Sequence, residues 1–168
     1  TSVVISGASE AIAAIVAALQ AEGIETRRLA VGQAAHSPLL APILDEFERT
    51  AAAVRFSPPQ IDLVSDVSGQ LVAGDEVANA AYWRRHLRQP VRFADSVQTL
   101  LAEGYRAFVE IGPHPVLLGM ARRFAPERAA GGELVWAPSL RQGWDEWQQL
   151  LESAAALYVN GVDIDLAG

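Results

Sequence analysis

Short apolar runs of strand-like composition alternate with segments of helical period along the whole of this chain, and that alternation sets its fold class. "TSVVISG" reads as a strand closed by a glycine turn. The segment after it repeats Ile12, Ile15, Val16 and Leu19 at helical spacing until Gly23 ends it, with Ser9 as the expected N-cap. "ETRRLAV" predicts a second strand. Ser37-Pro38 predicts the start of a second helix, since serine caps and proline suits the first helical position. Leu39, Leu40, Ile43, Leu44 and Phe47 are its apolar stripe. "SPPQ" breaks the chain, "IDLVSDV" reads as a strand, and Gly69 and Gly74 bracket a turn-rich excursion.

"NAAYWRRHLRQPVRF" predicts a helix up to Leu87 and a turn at Gln89-Pro90. A further helix over 93–103 turns Phe93, Val97, Leu100 and Leu101 inward and stops at Gly104. "RAFVEI" predicts a strand, Gly112-Pro113 a turn, 115–124 a helix, "PERAAGGE" a loop and "LVWAPS" a strand. A long helix over 144–160 follows. Strands alternating with helices predict an α/β protein with a largely parallel sheet.

The chain has 168 residues, enough for one domain with a core. A formal net charge of −7, with no basic cluster longer than a pair, argues against nucleic acid as the main partner. All 13 basic residues are arginine, so no lysine of this chain can form a Schiff base. The absence of cysteine excludes disulfides, a thiolate nucleophile and a cysteine-ligated metal. His36, His86 and His114 lie far apart and lack metal-ligand spacing, so no metal is expected. No apolar run approaches the ~20 residues of a membrane span, and no signal-peptide pattern is present. A cytoplasmic setting without a membrane partner is the expectation. Because the chain starts at Thr1 on a strand-like run, it reads as a piece of something longer.

Three histidines carry the candidate chemistry. His36 sits where a loop meets a helix, a place where a side chain can be held rigidly toward a cleft. Histidine exchanges protons near neutral pH, so His36 reads either as a base or as a helix-entrance residue that caps or packs. His86 lies among Arg84, Arg85, Arg88 and Arg92, with Trp83 and Leu87 as core. The arginines read as a solvated face before they read as a phosphate or acidic-carrier site. His114, in "EIGPHP", follows a strand at the end where α/β folds bind ligands, yet Pro115 beside it favours a structural turn. The carboxylate pairs Asp45-Glu46 and Asp163/Asp165 fall on expected surface or tail. No G-x-S-x-G elbow, P-loop or dinucleotide fingerprint occurs, and "SGASE" lacks the second glycine of the first of these.

Taken together, "AAHSPLLAPILDEF", "YWRRHLRQPVRFADSV" and "FVEIGPHPVLLGM", in this order and with these separations, resemble the C-terminal half of the acyltransferase domain of modular type I polyketide synthases. That family is related to the malonyl-CoA:acyl-carrier-protein transacylases. "VVISG", "TRRLAV" and "WAPSLRQGWDEWQQLLESAAALYVNGVDIDLAG" extend the resemblance over essentially the whole chain. It implies the C-terminal part of an α/β-hydrolase-like large subdomain over 34–168. Residues 1–33 would be the second half of an inserted ferredoxin-like small subdomain.

The family reaction is a two-step transfer of an α-carboxyacyl group. The group passes from CoA to a serine in a G-H-S-x-G elbow, then to the phosphopantetheine thiol of an acyl carrier protein. The resemblance makes His36 the catalytic general base and gives His86 the backbone carbonyl that orients it. It implies no permanently bound cofactor. Acyl-CoA (malonyl-CoA or methylmalonyl-CoA) would be the substrate. The implied partners are the acyl carrier protein, the ketosynthase and linker regions of the same synthase, and the domain's N-terminal half.

The elbow serine and the arginine that pairs with the extender carboxylate have no counterpart in these residues, so the chain alone is expected to be inactive and prone to aggregate. The tetrad before and including the base usually reads His-Ala-Phe-His in malonyl-type and Tyr-Ala-Ser-His in methylmalonyl-type domains. Here Gln33, Ala34 and Ala35 precede His36, which is neither pattern. Ala35 implies a roomier pocket, whereas "HSPLL" resembles the malonyl type, which is favoured. The alternative is a non-catalytic scaffold or docking half-domain within a synthase.

Overall fold

The computed structural model describes residues 3–29, 34–126, 128–129 and 132–165. The chain divides into two compact units, Thr1–Phe93 and Ala94–Gly168.

In the first unit, α1 (Ser9–Ala21) starts at the residue expected to cap it, one residue earlier than the sequence predicts. Ala8 occupies the N-cap position without a side-chain bond, and Ser9 is already helical. Ile12, Val16 and Leu19 share the half-buried side of the helix, while Ile15 is exposed. Gly23 ends it in the left-handed region (φ 77°), where a Cβ would clash with the following carbonyl. The strands expected at 1–7 and 25–31 form no ladder among the described residues, and Val3 and Val4 are exposed. Apolar composition favours extended backbone, but a strand needs a hydrogen-bonding neighbour.

Ser37 caps as its type predicts. Its Oγ accepts from Leu39 N at 3.2 Å, and Pro38 opens a 3-10 helix (Pro38–Ile43). The second proline, Pro42, offers no N–H to an α-type ladder, and the chain becomes α-helical only at α2 (Leu44–Ala51). Of the expected stripe Leu44 is buried, Leu40 and Phe47 are half-buried, and Leu39 and Ile43 are exposed.

"IDLVSDV" contributes only β1 (Val64–Ser65), paired antiparallel with β2 (Gln70–Leu71) around a turn closed by Gly69. The following helix, α3 (Ala80–Arg88), is capped by Asn79, whose Oδ1 accepts from Tyr82 N at 2.9 Å. It packs on α2 and on the 3-10 helix. Buried Tyr82 anchors it, its hydroxyl 2.8 Å from the buried Ser65 Oγ.

In the second unit, α4 (Phe93–Ala102) buries Val97 and gives way to Gly104 at φ 91°. The strands β3 (Ala107–Glu110) and β6 (Val135–Pro138) pair in parallel, with Phe108 stacked on its register partner Trp136 at 4.8 Å. A parallel pair needs a crossover, and α5 (Val116–Ala121) lies within it, against β3. The crossover also holds β4 (Arg128–Ala129) and β5 (Gly132–Glu133), an antiparallel pair where a loop was expected.

The parallel sheet is therefore two strands wide among the described residues, and the other two ladders are antiparallel. The last helix, α6 (Glu146–Val159), packs on β6 through polar groups. Ser153 Oγ donates to Pro138 O at 2.7 Å, and Gln149 Nε2 donates to Ser153 Oγ at 3.2 Å. No described helix is long and apolar enough to cross a membrane.

Candidate active site

His36 is the one described non-glycine residue with a positive φ, at 58°. A left-handed L-residue costs about 1–2 kcal/mol, so neighbouring bonds must hold it there. Two serine hydroxyls grip the backbone leading into it. Ser6 Oγ donates to Ala35 O at 2.7 Å, and buried Ser37 donates its Oγ–H to Ala34 O at 2.7 Å. Leu40 N donates to Ser37 O at 3.2 Å just beyond. The half-buried imidazole is thereby fixed at a turn immediately before a helix, as a rigid loop–helix junction allows.

The ring finds one hydrogen-bond partner among the described residues. Nδ1 lies 2.8 Å from the carbonyl oxygen of Gln89. A carbonyl only accepts, so Nδ1 carries the hydrogen of the neutral ring and Nε2 keeps its lone pair. That is the tautomer a base needs.

The carbonyl belongs to Gln89 and not, as the resemblance implies, to His86. The reason is local. His86 lies inside α3, where carbonyls point along the helix axis, whereas Gln89 is its C-cap with extended backbone (φ −82°, ψ 156°). Pro90 follows and drives the residue before it out of the helical region, turning the Gln89 oxygen away from the axis. The signal was in the sequence, in the Gln89-Pro90 dipeptide that marks the end of the helix.

His86 contributes its ring. It stands edge-on to His36, with centroids 6.0 Å apart and planes at 76°, and lies 5.5 Å from Trp83 and 6.1 Å from Tyr82. Trp83 is itself tied down by its indole N–H to Val77 O at 3.0 Å. The imidazole of His36 thus has an aromatic wall on α3 and a carbonyl at that helix's end.

Two of the arginines around His86 have separate partners. Arg84 pairs with Glu48 at 2.6 Å and Asp45 at 2.8 Å, joining α3 to α2. The hydrogen bond that it donates to Glu48 first, and then the nearby charge of Asp45, hold its guanidinium above the ordinary value. Arg85 lies over the Tyr82 ring at 5.8 Å. Asp45, expected on the surface, is there, as a partner of Arg84.

Of the tetrad, Ala34 and Ala35 are half-buried beside His36, and Gln33 lies outside the described residues. No three His, Asp or Glu side chains among the described residues are grouped to hold a metal.

In the second unit, the "EIGPHP" turn is organised by Glu110. Its carboxylate accepts from the N–H groups of Val116 and Leu117, both at 3.1 Å, and of Leu118 at 2.8 Å, satisfying the free amides at the start of α5. Gly112 N donates to Ser139 Oγ at 2.9 Å, closing the turn against the end of β6. The His114 carbonyl accepts from Val116 N at 2.9 Å, while its side chain lines an open depression of about 530 Å³ with Arg141 and Trp144. Glu110 and Ser6 were missed in the sequence, because a cap set six residues ahead of its helix and a bond spanning 29 residues leave no local pattern.

The family described as acyl transferase domain matches residues 1–164. Mycoketide-CoA synthase of Mycobacterium tuberculosis (strain ATCC 25618 / H37Rv) is 43% identical over 164 residues, covering 98% of this chain and 4% of the synthase. The crystal structure of the acyltransferase domain from the second module of the salinomycin polyketide synthase superposes with a TM-score of 0.86 at 37% identity, over 96% of this chain and 37% of that one. A malonyl-transacylase solved in complex with its type II polyketide synthase acyl-carrier protein is 25% identical with a TM-score of 0.72, over 88% of this chain and 44% of that one. This chain therefore spans a small part of its curated relative and little more than a third of the salinomycin domain. This mixed α/β chain, matched over nearly its whole length, therefore belongs to the acyl transferase domain family found in polyketide synthases.

Proposed function

We propose that this chain is the C-terminal half of a polyketide synthase acyltransferase domain and supplies its general base, His36. Residues 1–33 are then the second half of the small subdomain and 34–168 the C-terminal part of the large one. The observation that carries the reading is the 2.8 Å contact of His36 Nδ1 with the Gln89 carbonyl, which leaves Nε2 as a proton acceptor.

In this reading the nucleophile is an elbow serine outside these 168 residues. Serine attacks a thioester only when a base takes its proton. His36 Nε2 takes it as the serine oxygen attacks the acyl carbonyl of the CoA thioester. The protonated ring then gives the proton to the departing CoA thiolate, and the acyl group remains as a serine ester. In the second half-reaction Nε2 takes the proton of the carrier's phosphopantetheine thiol as its sulfur attacks the ester carbonyl, and the protonated ring then gives that proton to the departing serine oxygen. The imidazolium formed in each step is steadied by the Gln89 oxygen, which accepts from Nδ1–H throughout. A malonyl-transacylase relative solved with its carrier protein supports the choice of an acyl carrier protein as acceptor.

Malonyl is the favoured extender, read from "HSPLL". Ala35 leaves room that a phenylalanine would fill, and a methyl group in a pocket is worth only about 1–3 kcal/mol. Ala35→Phe is therefore expected to lower methylmalonyl transfer relative to malonyl transfer.

Intact-protein mass spectrometry tests the reading. The chain is paired with the serine-bearing segment of the domain and incubated with malonyl-CoA or methylmalonyl-CoA. An acyl adduct on the other segment's serine, lost in His36→Ala, is the expected result. Well-folded paired segments that take no acyl group from either CoA would instead favour the scaffold reading.

A further inference from the structure

We propose that Ser6 is a positioning residue for His36, acting through the peptide that joins Ala35 to His36; the inference rests on the general-base reading above. The carbonyl that Ser6 Oγ grips, Ala35 O at 2.7 Å, belongs to that peptide. Rotation of this one peptide plane changes ψ of Ala35 and φ of His36 together. The ordinary outcome for a non-glycine residue is a negative φ, and His36 is at +58°. Any relaxation to the common conformation must therefore swing the Ala35 oxygen, and the Ser6 hydroxyl opposes that swing.

The preceding peptide is held by a separate group, since Ser37 Oγ–H donates to Ala34 O at 2.7 Å. Ser37 also caps the 3-10 helix and is buried, so its removal disturbs more than one bond. Ser6 is exposed and lies before α1, outside any helix or ladder, and makes its bond 29 residues away along the chain. Its hydroxyl can be deleted without opening a cavity. The consequence reaches the ring because φ of His36 sets the direction of its Cβ. A flipped peptide carries Nδ1 away from the Gln89 carbonyl, 2.8 Å off in the held state, and the ring loses both its orientation and its fixed tautomer.

The test uses the acyltransferase domain formed by this chain with its serine-bearing segment, and compares Ser6→Ala, Ser6→Thr and His36→Ala. Transfer from malonyl-CoA to a carrier protein gives kcat and KM, thermal unfolding reports the fold, and proton NMR follows the hydrogen-bonded Nδ1–H of His36. Ser6→Ala is expected to lower kcat about 3- to 10-fold, the worth of one neutral hydrogen bond, with KM and Tm unchanged. The Nδ1–H resonance should broaden, and Ser6→Thr, which keeps a hydroxyl, should restore both. An unchanged kcat with an intact Nδ1–H resonance overturns the proposal. So does a loss of kcat that tracks a loss of Tm and is not rescued by threonine. If His36→Ala is as fast as the unaltered protein, the general-base reading fails, while the Nδ1–H resonance in Ser6→Ala still decides whether Ser6 positions the ring.

Discussion

The Nδ1 of His36 sits 2.8 Å from the main-chain oxygen of Gln89, fifty-three residues further along the chain. The ring is oriented by backbone that a proline has pushed out of a helix, so no carboxylate is required beside it. An orienting carbonyl is neutral at every pH, and it survives any side-chain substitution that leaves the backbone path intact.

The path is therefore the point to disturb. With Pro90→Ala, an N–H at position 90 can bond to the carbonyl of His86 and extend α3 by a residue, withdrawing the Gln89 oxygen. Transfer by the complete domain is expected to fall about 10- to 100-fold, the usual effect of a misplaced catalytic group. Gln89→Ala keeps the carbonyl and should lose less. Steady-state kinetics on both variants checks the ordering, and a larger loss for Gln89→Ala would mean that the Gln89 side chain matters more than its backbone.

Strain at His36 separates function from stability. His36→Gly removes the proposed base but suits φ 58°, whereas His36→Ala removes the proposed base and keeps the strain. Both should abolish transfer, and the glycine variant should be the more stable of the two by about 1 kcal/mol. Denaturant unfolding of the pair measures the difference. A glycine variant no more stable than the alanine one would show that the left-handed conformation carries little cost.

Glu110 holds the start of α5 with three backbone bonds. Glu110→Ala leaves the Leu117 and Leu118 amides without their acceptor, while Val116 keeps the His114 carbonyl, and is expected to cost about 1–2 kcal/mol. Glu110→Gln keeps one acceptor oxygen and should cost less. Urea unfolding should rank alanine below glutamine, and glutamine below the unaltered chain.

The buried pair Tyr82 and Ser65 offers a coupling measurement. Their oxygens are 2.8 Å apart, and Ser65 Oγ also accepts from Val67 N at 3.2 Å. Tyr82→Phe is expected to cost about 1 kcal/mol, and adding Ser65→Ala should cost less than the two single losses summed. Strict additivity in a double-mutant cycle would mean that the two hydroxyls are not bonded in solution.

Much of the local structure was legible because it depends on a few residues at a time. Ser37-Pro38 fixed a helix start, Gly23 and Gly104 fixed two ends, and "RAFVEI" and "LVWAPS" fixed two strands. His36 was legible as a candidate base from its junction and from the company it keeps in sequence. Ser9 was misread as a cap, since a serine just after Gly7-Ala8 and before Glu10 looks the same whether it caps the helix or is its first residue. The strands read in "TSVVISG" and "ETRRLAV" form no ladder among the described residues, because a run that favours extended backbone does not say whether a neighbour is present to complete one.

By itself, then, the sequence determined most of the helices, the two strands of the parallel pair, the absence of thiol and lysine chemistry, and the choice of His36 as the candidate base. These follow from residue type and short-range spacing. The tertiary structure decided which backbone oxygen meets that histidine and which hydroxyl holds its peptide. It also decided that α6 turns Gln149 and Ser153 toward β6 while Trp147 and Leu151 stay exposed. Such outcomes join residues 15 to 53 positions apart, where no spacing rule reaches and only the path of the folded backbone sets the distance.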